Sequence, residues 1–182
     1  ILDSVRLCDK NMALSLTPQH VVLLSGAGVA LLLGGYALRH RSQSGARPLV
    51  VITVAVTLWL VADVARDVVA TGVMMRPLAV LLYLGVSTTV AGWGAFAIEF
   101  SGYRSRVSRP VWVLLAVEPA ASVLLVATNP IHRLWYTGDI TTGVPGVGPA
   151  FWAHTVYAYV LVVGGIALLL WRLRRKQTLY PR

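Results

Sequence analysis

The sequence predicts an all-α fold: a polytopic transmembrane helix bundle of five spans, with the N-terminus outside and the C-terminus in the cytoplasm. Composition is the first observation, since 57% of the 182 residues are hydrophobic and 13% are charged, whereas soluble domains carry about 25% charged residues. The second observation is pattern, because the hydrophobic residues form five continuous runs without the alternation typical of β-strands. The third is the placement of Lys and Arg, which predicts the orientation.

Each hydrophobic run is close to the ~20 residues with which a helix crosses ~30 Å of hydrocarbon. The first run is too long for the apolar part of a signal peptide and has no small-residue cleavage site after it, so it counts as a span. The chain therefore divides into an extracellular lead-in, residues 1–19, and a transmembrane domain, residues 20–182. The predicted spans are residues 20–38, 49–70, 78–100, 111–128 and 151–171.

Lys and Arg are distributed unequally between the two ends of these spans. If the spans alternate in direction, eleven of the sixteen fall on one side, in segments 39–48, 101–110 and 172–182. Four fall on the other side and Arg66 lies within a span. Short cytoplasmic loops carry the excess of Lys and Arg, which predicts a cytoplasmic C-terminus. The net charge of +9 does not indicate nucleic-acid binding, because the basic residues lie at helix ends rather than on a separable domain.

The third predicted span carries small residues at intervals of three and four positions, namely Gly85, Thr88, Gly92 and Ala95. Apolar side chains gain little by leaving lipid for a neighbouring helix, so close helix contact needs small residues. We interpret this face as ordinary helix packing, in preference to the alternative of a mobile seam.

Ionisable residues inside the second predicted span form the first candidate site. Asp63, Arg66 and Asp67 are spaced i, i+3 and i+4, so they share one helix face in the outer half of the span. A charge at mid-bilayer costs ~2.5–3.5 kcal/mol on insertion scales, so these side chains should face protein or water and pair with one another. Two interpretations stay open: a ligand pocket or proton relay, and an ion pair that fixes the orientation of the helix.

The loop after the fourth predicted span concentrates polar chemistry at the outer level. His132 and His154 bracket it, and histidine is the side chain that changes its charge near neutral pH. Trp135, Tyr136 and Trp152 are predicted to mark the outer membrane interface.

Three imidazoles at the outer level, those of His20, His132 and His154, leave a zinc or haem site as an alternative. The spacing of metal ligands is missing, and Cys8 is the single cysteine, so we expect neither a metal nor another cofactor. The sequence has no nucleotide-binding loop, zinc-protease motif or nucleophile elbow, so this segment is not expected to be an enzyme.

Three stretches of the sequence carry a family resemblance. They are Glu99-Phe100-Ser101-Gly102-Tyr103, then Glu118-Pro119 leading to Thr128-Asn129-Pro130-Ile131-His132, and finally Gly148-Pro149-Ala150-Phe151-Trp152 with His154 and Tyr157-Ala158-Tyr159. In order and separation they resemble the N-terminal seven-transmembrane sensor region of histidine kinases. Trp59 and Asp63 are similar to the second span of that family, and the resemblance covers about residues 15–180.

The resemblance implies an extracellular N-terminus, seven helices in the cell membrane, and cytoplasmic signalling domains after the last helix. Five spans are present, so residues 20–182 are interpreted as a partial sensor domain and residues 178–182 as the loop before a sixth span. The implied partners are the lipid bilayer, a second copy in a homodimer, and a cytoplasmic signalling domain in cis. The parent protein implied by the resemblance is a histidine kinase.

We therefore interpret the chain as the sensor domain of a two-component signalling receptor. An extracellular or intramembrane stimulus of unknown chemistry has to favour one of two helix arrangements, which is then passed to the cytoplasm. The hypothesised binding or sensing residues are Asp63, Arg66, Asp67, His132, Trp152, His154 and Tyr157, and the hypothesised signal-transmission residues are Glu99 and Glu118. The alternatives are a small channel or transporter that uses the intramembrane Asp and Arg residues, and a membrane redox protein with a bis-histidine haem.

Overall fold

The computed structural model describes residues 17–69, 72–143 and 145–178, with side chains as far as Arg175. Within them the chain forms six α-helices: α1 Pro18–Arg39, α2 Ala46–Val69, α3 Met75–Phe100, α4 Arg109–Ala127, α5 Asn129–His132 and α6 Pro149–Thr178. All except α5 are long and apolar enough to cross a membrane, which confirms the predicted transmembrane helix bundle. Most of the predicted lead-in, residues 1–16, lies outside the described residues.

The five spanning helices begin two or three residues before the predicted spans, and each added stretch contains a proline, which the first turn of a helix accepts. At the start of α1, the Thr17 hydroxyl accepts a hydrogen bond from the His20 N–H, and the His20 ring accepts one from the Thr17 N–H. This reciprocal capping satisfies two donors that a helix start otherwise leaves free. At its other end, α6 continues to Thr178, seven residues beyond the predicted limit, because Arg and Lys are good helix formers.

Helix α3 is the centre of the bundle, since it packs against α2, α4 and α6. Helix α1 contacts α2, and the direct contact between α4 and α6 is much smaller than the others. The buried share of the apolar stretch is 39% in α3 and 6% in α6. Helix α6 is therefore the span that the rest of the described chain holds least.

The small residues predicted on α3 allow α2 and α3 to approach closely. A methyl group added at Gly85 would lie 2.6 Å from the backbone nitrogen of Trp59 and 2.7 Å from the carbonyl oxygen of Ala55. A methyl group added at Gly92 would lie 2.8 Å from the side chain of Ile52. Both glycines are thus points of close helix contact, in agreement with the interpretation as ordinary packing.

Gly85→Ala is expected to lower the free energy of unfolding by about 1–3 kcal/mol, because the added methyl group overpacks the α2–α3 contact against backbone atoms that cannot rotate away. The measurement is an SDS titration of the purified chain in mixed micelles. Gly35→Ala is the matched control, since a methyl group there meets nothing within 4 Å and alanine is the better helix former. Equal stability of the two variants would contradict the close contact at Gly85.

The basic segments of the chain gather at one end of the bundle, which we call the basic end. It is formed by the α1–α2 loop, the α3–α4 loop and the last turns of α6. The hydroxyl of Ser44 in the first loop donates to the carbonyl oxygen of Glu99 at the end of α3, at 2.8 Å. The ring of Trp171 in α6 lies 5.6 Å from that of Tyr103 in the second loop. The grouping predicted from charge is therefore observed.

The α2–α3 connection and the α4–α6 loop meet at the opposite end, which we call the loop end. Their contact includes a hydrogen bond of 2.9 Å from the Gly72 N–H to the carbonyl oxygen of Thr141. The assignment of the basic end to the cytoplasm stays a prediction from the charge distribution.

Candidate functional site

The most buried carboxylate–imidazole contact in the described part of the chain joins Glu118 of α4 to His154 of α6. Nδ1 of His154 lies 2.5 Å from Oε1 of Glu118, and the two side chains are 5% and 14% exposed respectively. The Ser122 hydroxyl donates to the same carboxylate oxygen at 2.7 Å and lies 3.5 Å from Nδ1 of His154. These three residues form the Glu118–His154 cluster, which links two spans that otherwise share few contacts.

The sequence of α4 places the acidic half of this cluster deep in the bundle. Glu118 lies about 13 Å along the helix from either end of α4, at ~1.5 Å per residue. Ser122 follows it by one helical turn, so the two side chains share a face. Pro119 has no N–H, and the carbonyl of Leu115 therefore lacks the usual hydrogen bond within the helix. A carboxylate at this depth needs a partner, and His154, in the second turn of α6, is that partner.

The α4–α6 loop folds over the cluster and is held in place by Asn129. The Asn129 amide oxygen accepts hydrogen bonds from the N–H groups of Trp135 and Tyr136, at 2.9 and 3.0 Å. Its amide nitrogen donates to the carbonyl oxygen of Tyr136 at 3.1 Å. The Gly148 N–H donates to the carbonyl oxygen of Trp135 at 2.7 Å, which attaches the loop to the start of α6. Since Asn129 is buried, its three hydrogen bonds are shielded from water.

Trp135 is the side chain that covers the cluster. It is 1% exposed, and its ring centroid lies 5.5 Å from that of His154. The rings of Tyr83 and Phe151 pack edge-on against it at 4.7 and 6.3 Å, within the range that aromatic pairs favour. The sequence predicted that Trp135 and Tyr136 mark the membrane interface. That prediction is wrong, because the loop turns both rings inward and both residues are buried.

Several polar atoms around the cluster and its covering loop are buried and have no hydrogen-bond partner in the described residues. They are Oε2 of Glu118, the hydroxyl of Tyr157, the indole nitrogen of Trp135 and Nε of Arg66. Tyr157 follows His154 by three residues and is within electrostatic reach of Glu118. Buried polar groups are nearly always paired, so these are the atoms with which a bound molecule or an ordered water would pair.

Arg66 of α2 acts electrostatically on the covering loop, and no ion pair joins it to the acidic residues of its own helix in the described part of the chain. Burial raises the pKa of the Tyr136 phenol far above its ordinary value, and the neighbouring phenol of Tyr83 raises it further. The positive charge of Arg66 acts in the opposite direction. The Tyr136 phenol is therefore neutral at ordinary pH, and the positive charge of Arg66 is within electrostatic reach of it.

The predicted pairing of Asp63, Arg66 and Asp67 with one another is not found among the ion pairs of the described residues. Asp67 instead lies 3.5 Å from Nε2 of His20, in the first turn of α1. Half of the Asp67 side chain is exposed, so it is solvated at the helix end. Asp63 is partly buried on the same helix. The three residues are therefore neighbours along α2 but do not form one charge cluster.

Two further predicted residues lie apart from the Glu118–His154 cluster. Nε2 of His132 lies 3.0 Å from the Thr128 hydroxyl, and its Nδ1 accepts a hydrogen bond of 3.0 Å from the Leu134 N–H. Both ring nitrogens of His132 are thus used within the loop. Trp152 is 59% exposed, in agreement with its predicted place at the membrane interface.

The two residues predicted to transmit a signal lie at different depths. Glu118 belongs to the cluster beside His154. Glu99 lies at the basic end, where it pairs with Arg104 and is 13% exposed. Glu99 is therefore a fixed acidic group of that end rather than a freely solvated one.

A cavity of about 220 Å³ opens at the loop end, and its polar lining consists of Arg76, Asn129, Arg133 and Asp139. The pKa of the Asp139 carboxyl is below its ordinary value. The largest cause is the hydrogen bond from the backbone N–H of Thr141, and the second is the hydrogen bond from the Thr141 hydroxyl. Arg76, 3.4 Å away, also lowers this pKa. None of the residues predicted to bind a stimulus lines this cavity.

The sequence did not single out Ser122, Asn129 or Trp135 as site residues. Ser122 carried a usable signal, because a polar residue one turn after a buried Glu118 faces the same neighbour. Asn129 and Trp135 carried none, since their roles depend on how the loop folds back. Chemically, the assembled cluster can hold a proton between a carboxylate and an imidazole, under a cover that excludes water.

A family model described as the N-terminal 7TM region of histidine kinase matches residues 22–182. The match takes in most of α1, the whole of the other helices, and both sides of the Glu118–His154 contact. None of the curated proteins and none of the solved structures matches the chain.

Proposed function

Because this chain belongs to the family of N-terminal 7TM regions of histidine kinase, a family of membrane sensor input domains, we propose that it senses a stimulus at its loop end. The response is a helix rearrangement that α6 passes to a cytoplasmic signalling domain in cis. The stimulus is extracellular or intramembrane, the membrane is the cell membrane, and the working unit is a homodimer. Among the described residues, five helices are long and apolar enough to cross a membrane.

The observation that carries this proposal is the contact between Glu118 and His154. It joins α4 to α6, and α6 is the span with the fewest other contacts to the bundle. A stimulus shifts a conformational equilibrium only if it interacts differently with the two states. A stimulus that changes the charge or position of His154 would meet this condition. It would weaken or strengthen the polar contact between α6 and α4, and the two helix arrangements would then differ in free energy.

The length of α6 supports transmission to the basic end. His154 and Trp171 are separated by about 25 Å along the helix, at ~1.5 Å per residue. Trp171 stacks near Tyr103 and lies under the guanidinium of Arg175, 4.2 Å from its ring centroid. Since a helix moves largely as a rigid element, a displacement at His154 also moves the contact of Trp171 with the α3–α4 loop.

The proposed point of entry for the stimulus is the loop that covers the cluster. Of the predicted binding residues, Arg66, His154 and Tyr157 support this role by their positions. Arg66 is within electrostatic reach of the buried Tyr136, and the Tyr157 hydroxyl is buried without a hydrogen-bond partner among the described residues. A ligand that displaces the Trp135 ring would reach these groups.

The test is a distance measurement by double electron–electron resonance in lipid nanodiscs. Spin labels are placed at Leu173→Cys in α6 and Val113→Cys in α4, both exposed positions, in a Cys8→Ser background. Glu118→Gln and His154→Gln are each expected to shift the distance between the labels by about 1–2 Å, the usual size of a helix shift. The reason is that either change removes the carboxylate–imidazole contact while it keeps a polar side chain of similar size.

Thr155→Val is the matched control, because Thr155 neighbours His154 but donates within its own helix, to the carbonyl oxygen of Phe151. Its label distance should equal that of the unsubstituted chain. Unchanged distances in both cluster variants would refute the proposal that this contact sets the position of α6. In a receptor that carries the cytoplasmic domain, the same two variants should change its phosphorylation output.

A further inference from the structure

A second concave surface lies at the basic end, between the α1–α2 loop and the α3–α4 loop. Its volume is about 690 Å³, and its charged lining residues are Arg41, Arg47, Arg104 and Glu99. We call these four residues and the space between them the arginine cup. Three guanidinium groups face one carboxylate, so the arginine cup has an excess of positive charge. Serine hydroxyls from both loops complete its polar lining.

The two walls of the arginine cup are tied together by polar contacts. Ser44 donates to the carbonyl oxygen of Glu99 at 2.8 Å, which fixes the α1–α2 loop against α3. The Glu99 carboxylate pairs with Arg104, which fixes the α3–α4 loop. Neither Arg41 nor Arg47 pairs with a carboxylate in the described part of the chain. The positive charge of these two residues is therefore available to an anion.

Arg172 of α6 adds an independent indication of an anionic ligand. Its Nη1 atom is buried and has no hydrogen-bond partner among the described residues. It lies beside Gly102, since a methyl group added there would be 3.7 Å from that nitrogen. Gly102 itself lines the arginine cup, so this unsatisfied donor lies against a lining residue of the cup, although Arg172 is not one of the lining residues.

An apolar groove follows the same face of α2 away from the arginine cup. Arg47, Val51, Val54 and Leu58 are spaced i, i+4, i+7 and i+11, so they form one stripe about 16 Å long, at ~1.5 Å per residue. Beyond Arg47, the last three line a groove of about 340 Å³ between α2 and α3, with Leu84 on its other wall. A basic head and an apolar groove thus lie in line along one helix.

We propose that the arginine cup and this groove together bind an anionic phospholipid, with the phosphate in the cup and an acyl chain in the groove. Guanidinium groups bind phosphate through paired N–H donors, and basic pockets at the ends of membrane helices bind anionic headgroups. The cup lies at the ends of apolar spans, which is the level of the lipid headgroups. The excess positive charge favours a lipid without a compensating ammonium group. This proposal does not depend on the role proposed for the Glu118–His154 contact, nor on whether the basic end faces the cytoplasm.

The test titrates dioctanoyl phosphatidylglycerol into the purified chain in zwitterionic detergent and follows the midpoint of thermal unfolding. The unsubstituted chain should be stabilised by this lipid and much less by dioctanoyl phosphatidylcholine. In the double variant Arg41→Gln and Arg47→Gln, the apparent affinity for the anionic lipid should fall about tenfold to thirtyfold. The matched control is Arg76→Gln with Arg133→Gln, which removes the same charge at the loop end and should leave the affinity within twofold.

Two further arms separate a lipid from a free anion. Val54→Trp fills the groove without changing the charge, and it should weaken binding of phosphatidylglycerol at least fivefold. Inorganic phosphate at 20 mM should not reproduce the stabilisation. The proposal is overturned if phosphate alone stabilises the chain as well as the lipid does, or if the loop-end variant loses as much affinity as the arginine-cup variant. Normal lipid binding by Val54→Trp would also overturn it.

Discussion

Trp135→Ala is expected to lower the free energy of unfolding by about 3–5 kcal/mol, the usual cost of removing a large aromatic side chain from a core. Trp135 is 1% exposed and belongs to the buried cluster formed by the α4–α6 loop, α3 and α4. Its loss also removes the edge-on contact with Tyr83, and such pairs contribute about 0.5–1.5 kcal/mol beyond their buried area. The measurement is SDS-induced unfolding in mixed micelles.

Trp152→Ala is the matched control, because the residue type is the same and the side chain is 59% exposed. It should cost less than about 1 kcal/mol, as a substitution away from the packed core does. Trp135→Phe should fall between the two, since a smaller ring refills part of the space. If the two tryptophan-to-alanine variants are equally stable, Trp135 does not cover the Glu118–His154 cluster in the way described.

The helices were predictable because the bilayer imposes one requirement on every span: about 20 apolar residues with all backbone groups bonded internally. This requirement is written locally in the sequence, so predicted and observed helices differ mainly by end turns. The exceptions have local causes, such as the capping pair of Thr17 and His20 at the start of α1. The grouping of basic residues at one end was also predictable, since it follows once successive spans alternate in direction across the membrane.

The candidate site was predictable only in part, because it depends on contacts between residues far apart in the chain. An apolar span that contains Glu118 must give it a partner, but the sequence does not say which of the histidines is that partner. Only the folded loop decides between His154, which pairs with Glu118 at 2.5 Å, and His132, which bonds within the loop. Trp135 was assigned to the membrane interface for a similar reason. An aromatic ring near a helix end can pack against lipid or against protein, and the sequence does not distinguish the two. In the structure the hydrogen bond between Asn129 and the Trp135 N–H holds the loop so that the ring packs against protein.

The grouping of Asp63, Arg66 and Asp67 shows the limit of spacing arguments on a single helix. Residues at i, i+3 and i+4 are neighbours on an isolated helix, yet two of these three side chains also interact with another element. Asp67 reaches His20 of α1, and Arg66 lies near Tyr136 of the covering loop. Helical spacing alone predicts that the three residues form one group, whereas tertiary contacts direct them to different partners.

The second large effect is expected from the cluster itself, in a double-mutant cycle of Glu118→Ala and His154→Ala. Each single variant should lower the free energy of unfolding by about 3 kcal/mol, because removal of one partner leaves the other buried and unpaired. The double variant should cost much less than the sum, since the second substitution removes that unpaired group. The expected coupling energy is about 2–3 kcal/mol, from SDS titrations of all four proteins.

The size of this coupling distinguishes two descriptions of the contact. An interhelical hydrogen bond in a membrane protein is worth about 0.6 kcal/mol on average and at most about 1.7 kcal/mol, whereas close charge pairs have coupling energies of about 1.5–7 kcal/mol in double-mutant cycles. Thr155→Val, combined with Glu118→Ala, should show no coupling, because Thr155 bonds only within α6. A coupling below about 0.5 kcal/mol between Glu118 and His154 would mean that the contact does not hold α6 to α4. A value above about 2 kcal/mol would exceed what a neutral hydrogen bond between membrane helices supplies and would indicate a charged pair.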